Sequence, residues 1–223
     1  EVFGATKLKG QIRISGSKNA SLPILAATLL SDKKISLTNL PRVKDVETMI
    51  KLLESMGSKV KVSKNKNSLV IQNNKKIKTE ASYNLMSTMR AGIIVMGPLL
   101  ARFGKARVSN PGGCNIGFRP IDIHLDGLKK MGVKYKIVDG YINAIVKNGL
   151  KGAKIKFPKI SVGATENLMI AACLAKGQTT LINCAIEPEI KDLSNFLCSI
   201  GAKIVWTGKR QVKILGVKNF KQS

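Results

Sequence analysis

The sequence predicts an α/β fold made of three copies of one β/α unit, and three observations predict it. First, a short pattern, Leu-x-x-Met/Ile-Gly-x-Lys, occurs three times. It falls at Leu53, Met56, Gly57 and Lys59, at Leu128, Met131, Gly132 and Lys134, and at Leu197, Ile200, Gly201 and Lys203. The glycines are 75 and 69 residues apart, and self-similarity at a near-constant period marks repeated supersecondary units. Second, each copy has the same surroundings. An apolar helical stretch (residues 22–30, 89–100 and 168–175) leads into a β-rich run (35–37, 106–108 and 179–182). A loop follows in which a Pro precedes an Asp (Pro41 and Asp45, Pro120 and Asp122, Pro188 and Asp192). Third, helical and strand periodicities alternate, the order that gives α/β folds rather than helical bundles.

Taken in order, each unit reads strand, helix, strand, helix, strand, at about residues 18–80, 81–149 and 150–223. A strand at residues 11–14 opens the chain and runs into Ser15-Gly16-Ser17-Lys18-Asn19-Ala20, the start of the first helix. In every unit the Asp is expected to open the second helix, where a carboxylate can cap free N–H groups and suits the positive helix end. In the third copy Leu193, Phe196, Leu197 and Ile200 stand at i, i+3, i+4 and i+7, one apolar stripe. Gly201 then takes the left-handed position that ends a helix. Alternating strands follow at residues 59–62 and 134–138. The Lys- and Asn-rich stretch 63–78 reads as solvated turns around a short strand at 69–71.

Composition limits the function. Of 223 residues 44% are hydrophobic, enough for a packed core and too many for disorder. Lys and Arg number 38 against 13 Asp and Glu, a formal charge of +25. Taken alone, that points to nucleic acid, an anionic membrane or an anionic substrate. Only seven of the 38 cations are arginine. The longest uncharged apolar stretch, residues 91–101, is too short for the roughly 20 residues of a membrane span. No secretory leader is visible, the first residue is Glu, and the chain is expected to be a piece of something longer. Cys114, Cys173, Cys184 and Cys198 form no C-x-x-C pair, and His124 is the single histidine. A metal site is therefore not expected, and the thiols read as reduced, in a cytoplasmic protein.

Several residues could carry chemistry. The small residues before Lys18 and Asn19 let backbone approach a ligand near a helix N-terminus, which attracts anions; a polar helix start explains them equally well. Cys114 lies in a loop with three nearby glycines, Pro111 and Arg119, and is either a cation-activated thiol or part of an ordinary turn. Cys173, Cys184 and Cys198 lie in or beside apolar elements and read as inert core thiols. Arg90 and Arg119 are candidate anion forks in a lysine-dominated chain. Arg13, Arg42 and Arg210 read as surface residues, and His124 as a structural histidine.

Lys18-Asn19, Thr88-Met89-Arg90-Ala91, Pro111-Gly112-Gly113-Cys114, Arg119-Pro120-Ile121-Asp122 and Lys159-Ile160-Ser161-Val162-Gly163 together resemble the UDP-N-acetylglucosamine enolpyruvyl transferases. The match runs in order from about residue 6 to residue 216. The resemblance implies an inside-out α/β barrel of two lobes, each of three repeated β/α units, with this chain as the first lobe. Residues 1–17 would belong partly to the second lobe, residues 18–223 would form the first, and the second lobe would be missing here. The implied reaction moves enolpyruvyl from phosphoenolpyruvate to the 3′-hydroxyl of UDP-N-acetylglucosamine and releases phosphate, the first committed step of peptidoglycan synthesis, without a cofactor. By position, Cys114 would be the general acid and the thiol that fosfomycin alkylates. Lys18, Asn19 and Arg119 would hold phosphoenolpyruvate. Asn19, Arg90, Arg119, Pro120, Ile121, Asp122, Ile123, Lys159, Ser161, Val162 and Gly163 would hold the sugar nucleotide. The base and further arginines would come from the second lobe, so the chain alone is expected to be inactive.

Three rival readings fit parts of the sequence. A shikimate-phosphate enolpyruvyl transferase normally has Lys-Ser after the first strand and no Cys loop, unlike Lys18-Asn19 and Pro111 to Cys114. A nucleic-acid module would account for +25, but the lysines are scattered and aromatics are 4%, too few for a stacking platform. The third is a lobe without catalysis, from a truncated or split enzyme.

Overall fold

The computed structural model describes residues 4, 7, 9–74, 76–86, 89–109 and 121–220, with Arg90 described for its backbone alone. Three units follow one another, each with its own sheet. The first holds α1 (Lys18–Ala27) with a 3-10 turn Thr28–Leu30, β1 (Lys34–Leu37), α2 (Lys44–Ser55), β2 (Ser58–Val62) and β3 (Leu69–Asn73). The second holds β4 (Glu80–Ala81), α3 (Tyr83–Met86), a 3-10 helix Arg90–Val95 continued by α4 (Met96–Phe103), β5 (Lys105–Ser109), α5 (Asp122–Lys130), β6 (Lys134–Val138) and β7 (Tyr141–Ile145). The third holds β8 (Lys154–Lys156), α6 (Val162–Ala172), β9 (Gln178–Ile182), α7 (Pro188–Ser199), β10 (Lys203–Gly208) and β11 (Gln211–Leu215).

The helices lie inside and the sheets outside. In α6 every residue from Ala164 to Ala172 is buried, as suits a helix that is apolar on nearly every side. It packs on α4, α5 and α7, while α1 packs on α2 and α7. The sheets run β1-β3-β2, β4-β5-β7-β6 and β8-β9-β11-β10. Each turns one face inward, with Ile35 and Leu37, Ala106 and Val108, and Val212 and Ile214 buried, while Lys34, Lys105 and Lys213 face out. Each core leucine or isoleucine removed from water contributes about 1.5–3 kcal/mol. Among the described residues the three sheets stay separate, so the inside-out arrangement does not close into one hydrogen-bonded barrel.

The repeat glycines end their helices as expected. Gly57, Gly132 and Gly201 have φ of 105°, 96° and 109°, where a side chain would be strained. The following N–H groups close the turn, Val133 onto Leu128 O and Ala202 onto Leu197 O. The stripe of α7 is also seen, with Leu193, Leu197 and Ile200 buried and Phe196 half-buried.

Four expectations are corrected. Residues 11–14 form no strand; Ile12 is 85% and Ile14 73% exposed. In the other units a preceding strand pairs in parallel, β4 with β5 and β8 with β9, whereas β1 pairs with β3 alone. In the first unit the two strands expected after the second helix pair as the hairpin β2–β3, and in the second and third units a hairpin, β6–β7 or β10–β11, stands in place of the one strand expected. The Asp residues do not cap: the residues before α2, α5 and α7 are Val43, Ile121 and Glu187, and none makes a side-chain cap. Asp45 and Asp122 sit in the first turn, but α7 begins at Pro188, preset for a first helical position, so Asp192 falls a turn later. Finally, Cys198 is exposed rather than a core thiol, because it lies off the buried stripe of α7.

Candidate functional site

The central helices give the lobe two distinct ends. The residues that follow α1 (Leu30, Ser31) and α6 (Leu174, Ala175), with the last turn of α4 (Ala101, Arg102), line one open cleft of about 900 Å³. The helix C-termini therefore meet at that end, and the N-termini with their unpaired N–H groups lie at the opposite one. Most of the candidate residues named from sequence fall at the N-terminal end.

The start of α1 is built by Ser17, whose Oγ accepts from Ala20 N at 3.4 Å and whose carbonyl accepts from Ser21 Oγ at 2.8 Å. Lys18 and Asn19 are the first two residues of the helix and are exposed. Lys18 Nζ lies 3.0 Å from Asp45 Oδ2 in the first turn of α2. Pro23 inside α1 lacks the N–H that would make the α-helical bond to the Asn19 carbonyl.

The start of α6 repeats this design. Ser161 Oγ accepts from Ala164 N at 3.3 Å, and its carbonyl accepts from Thr165 Oγ1 at 2.7 Å. Thr165 Oγ1 also accepts from Ala185 N at 3.0 Å, tying the helix to the segment before α7. Ser161, Val162 and Gly163 are half-buried and Lys159 is exposed. Alongside comes the start of α5: Ile121 is half-buried, Asp122 exposed and Ile123 buried. His124, in the first turn of α5, joins the two segments. Its ring lies against Gly163, and its Nδ1 is 3.0 Å from Asn167 Nδ2. Arg90 opens the 3-10 helix that packs on both α1 and α6. Cys114, Arg119 and Pro120 lie outside the described residues, as does Thr88.

Two buried groups there have displaced acidities. Burial lowers the His124 pKa to about 4, so the ring is neutral. Burial, with Glu189 adding to it, raises Glu166 to about 8. Sequence reading passed over Glu166 and Asn167. A signal was present, since Thr165-Glu166-Asn167 are three consecutive polar residues inside an otherwise apolar helix, and all three are buried. It also took His124 as structural and Asp45 as a cap, so it missed both as neighbours of the candidate site. Arg210 proves partly engaged, donating to Cys184 O at 3.2 Å.

Residues 2–223 match the EPSP synthase (3-phosphoshikimate 1-carboxyvinyltransferase) family. The chain belongs to the EPSP synthase family. Among relatives, the UDP-N-acetylglucosamine 1-carboxyvinyltransferase of Pelagibacter ubique (strain HTCC1062) is 71% identical over 222 residues, covering 100% of this chain and 53% of that protein. That of Coxiella burnetii (strain Dugway 5J108-111) is 50% identical over 216 residues, covering 97% and 50%. This EPSP synthase family chain thus spans about half the length of the curated relatives it matches. The fold agrees with the crystal structure of the enolpyruvyl transferase NikO from Streptomyces tendae, with a TM-score of 0.81 at 19% identity over 96% of this chain and 50% of the other. Among the described residues no helix is long and apolar enough to cross a membrane.

Proposed function

We propose that this chain is the first lobe of an enzyme that transfers enolpyruvyl from phosphoenolpyruvate to the 3′-hydroxyl of UDP-N-acetylglucosamine, in the cytoplasm and in the service of peptidoglycan synthesis. The observation that carries this reading is the 71% identity, over the whole chain, to a relative named for that reaction. The N-terminal end of the lobe supports it. An exposed lysine at the start of α1 and two capped helix starts, Ser17 and Ser161, suit phosphorylated substrates, because unpaired helix N–H groups and their dipole favour anions.

The chemistry assigns work to residues of known type. A proton added at C3 of phosphoenolpyruvate leaves positive charge at C2, and the 3′-oxygen attacks there while losing its proton. The tetrahedral intermediate expels phosphate as a proton leaves C3. Cys114 is the proposed acid at C3. Lys18, Asn19 and Arg119 neutralise the phosphate and carboxylate. Arg90, Pro120, Ile121, Asp122, Ile123, Lys159, Ser161, Val162 and Gly163, with Asn19 and Arg119, hold the sugar nucleotide. A second lobe supplies the base for the hydroxyl, and the opening segment, with the exposed Ile12 and Ile14, belongs partly to that lobe.

The test is phosphate release from phosphoenolpyruvate and UDP-N-acetylglucosamine. The 223-residue chain alone is expected to give little or none. Co-expression with the second half of the Pelagibacter ubique relative is expected to restore it, dependent on both substrates. Release with shikimate 3-phosphate as acceptor, and none with UDP-N-acetylglucosamine, would overturn the proposal.

A further inference from the structure

The charge of this chain is sorted by secondary structure. Among the described residues, the eleven strands hold eleven Lys or Arg and a single acid, Glu80. By contrast, seven of the 13 Asp and Glu lie on α2, α5 and α7. The ten strand lysines are all exposed, so the outer faces of the sheets form a cationic shell around the helices. The substrates proposed above bind at helix starts and leave that shell unused.

The second sheet adds apolar and aromatic side chains to its outer face. Its register sets Lys105, Ile145 and Lys134 in one row across β5, β7 and β6, and Arg107, Asn143 and Lys136 in the next. Tyr141 and Val138 face each other in a third. Arg107 is held from two sides. It pairs with Glu80 on β4, and its guanidinium carbon lies 3.9 Å from the centre of the Tyr141 ring. Ile145 and Val138 stay 48% and 50% exposed among these cations. Lysines on edge strands block unwanted pairing, which accounts for Lys134 and Lys136 on β6. It does not account for Lys105 and Arg107, because β5 is flanked by β4 and β7, nor for a bare isoleucine on β7, flanked by β5 and β6.

We propose that the outer face of this sheet docks an acidic segment of a partner protein, with carboxylates on Lys105, Lys134 and Lys136 and an apolar side chain over Ile145 and Val138. Arg and Tyr are enriched as anchors in protein interfaces, and an arginine already fixed loses little freedom on binding. Lys105 and Lys134 are two strand spacings apart, about 10 Å, so two acids flanking one apolar residue span the row. A second copy of this chain is a poor occupant, since it carries the same +25 and like charges repel. Single-stranded nucleic acid stacks on free aromatic faces, and the ring of Tyr141 is covered by Arg107. A lipid surface takes up protruding Trp, Phe and Leu side chains, whereas Val138 and Ile145 keep half their surface packed in the sheet.

The probe is a synthetic peptide, Glu-Leu-Glu-Glu-Leu-Glu, titrated into the 15N-labelled 223-residue chain at physiological salt and followed by amide NMR. Shifts should concentrate on β5, β6 and β7. Glycine in place of each peptide leucine should weaken binding about threefold, the effect of losing a partly buried apolar side chain. Ile145→Ser should weaken the leucine peptide alike and leave the glycine peptide unchanged. Lys105→Glu together with Lys134→Glu should cost about tenfold in affinity. The same changes at Lys34 and Lys59, on the first sheet, should cost less than about twofold, since salt screens distant charges. All four lysines are exposed, so the variants report on binding rather than on folding. A peptide that leaves the chain unmoved, moves all three sheets alike, binds as well with glycine, or is indifferent to Lys105 and Lys134 overturns the proposal. Tighter binding of a DNA duplex or of phosphatidylserine vesicles to this face overturns it too. None of these outcomes touches the substrate proposal.

Discussion

Lys18 Nζ and Asp45 Oδ2 lie 3.0 Å apart, joining the first residue of α1 to the first turn of α2. The side chains are 48% and 35% exposed, so water screens the pair and its effect on stability is small. Asp45→Asn is expected to change the unfolding free energy by no more than about 1 kcal/mol, measured by urea denaturation. Its effect on ligand binding is of the opposite kind. If Lys18 binds phosphoenolpyruvate, removing the competing carboxylate should tighten that binding about fivefold at low salt, the equivalent of roughly 1 kcal/mol for charges about 4 Å apart in water. Unchanged or weaker binding in a folded variant would contradict a role for Lys18 in holding that anion.

The acidities of Glu166 and His124 act on stability in opposite directions. Glu166 is raised from its ordinary 4.5 to about 8, so the folded chain binds its proton more tightly than the unfolded chain. The stability this gives is complete below about pH 4.5 and is lost as pH rises through 8. His124 is lowered from 6.5 to about 4, so its contribution is complete above pH 6.5 and is lost as pH falls through 4. Thermal melts across pH should therefore show Glu166→Gln flattening the decline between pH 6.5 and 8. His124→Phe should flatten the decline between pH 6.5 and 4. A Glu166→Gln profile that keeps the full alkaline decline would contradict the burial argument.

Close approach of α4 and α6 depends on Gly97. A Cβ there would overlap the backbone and side-chain amide of Asn167, and neither can move without shifting buried α6. Gly97→Ala is expected to destabilise by about 1–3 kcal/mol, whereas Gly163→Ala, at contact distance from His124, should change stability by well under 1 kcal/mol. Urea midpoints for the pair check this; equal effects would mean the two helices can separate freely.

The three described thiols should differ in reactivity. Burial raises the pKa of Cys173 and of Cys184, suppressing the thiolate, and both are fully enclosed, while Cys198 is exposed. Iodoacetamide at pH 8 should alkylate Cys198 and spare Cys173 and Cys184 in the folded chain, as read by peptide mass spectrometry. Fosfomycin, in the complete enzyme, is expected to add to Cys114. Adduct on Cys173 or Cys184 instead would overturn that assignment.

The repeat was the most legible part of the fold. Leu-x-x-Met/Ile-Gly-x-Lys combines a helical stripe with a glycine whose positive φ is demanded by local sterics, and both signals are local. What stayed hidden depends on partners distant in sequence. Residues 11–14 alternate like a strand, but a strand also needs a neighbour, and β1 pairs with β3 alone. Asp45 looked like a cap by position, yet its partner Lys18 is 27 residues away. For the candidate site, Ser161 and Gly163 were named through a resemblance, whereas Asn167 and its contact with His124 required the packing of α5 on α6. A polar triplet in an apolar helix marks burial without telling what each side chain meets.

The most direct test of the central proposal is titration calorimetry of the 223-residue chain with UDP-N-acetylglucosamine and, separately, with shikimate 3-phosphate. A sugar-nucleotide lobe predicts saturable one-to-one binding of UDP-N-acetylglucosamine and none of shikimate 3-phosphate. Binding of shikimate 3-phosphate alone would contradict it.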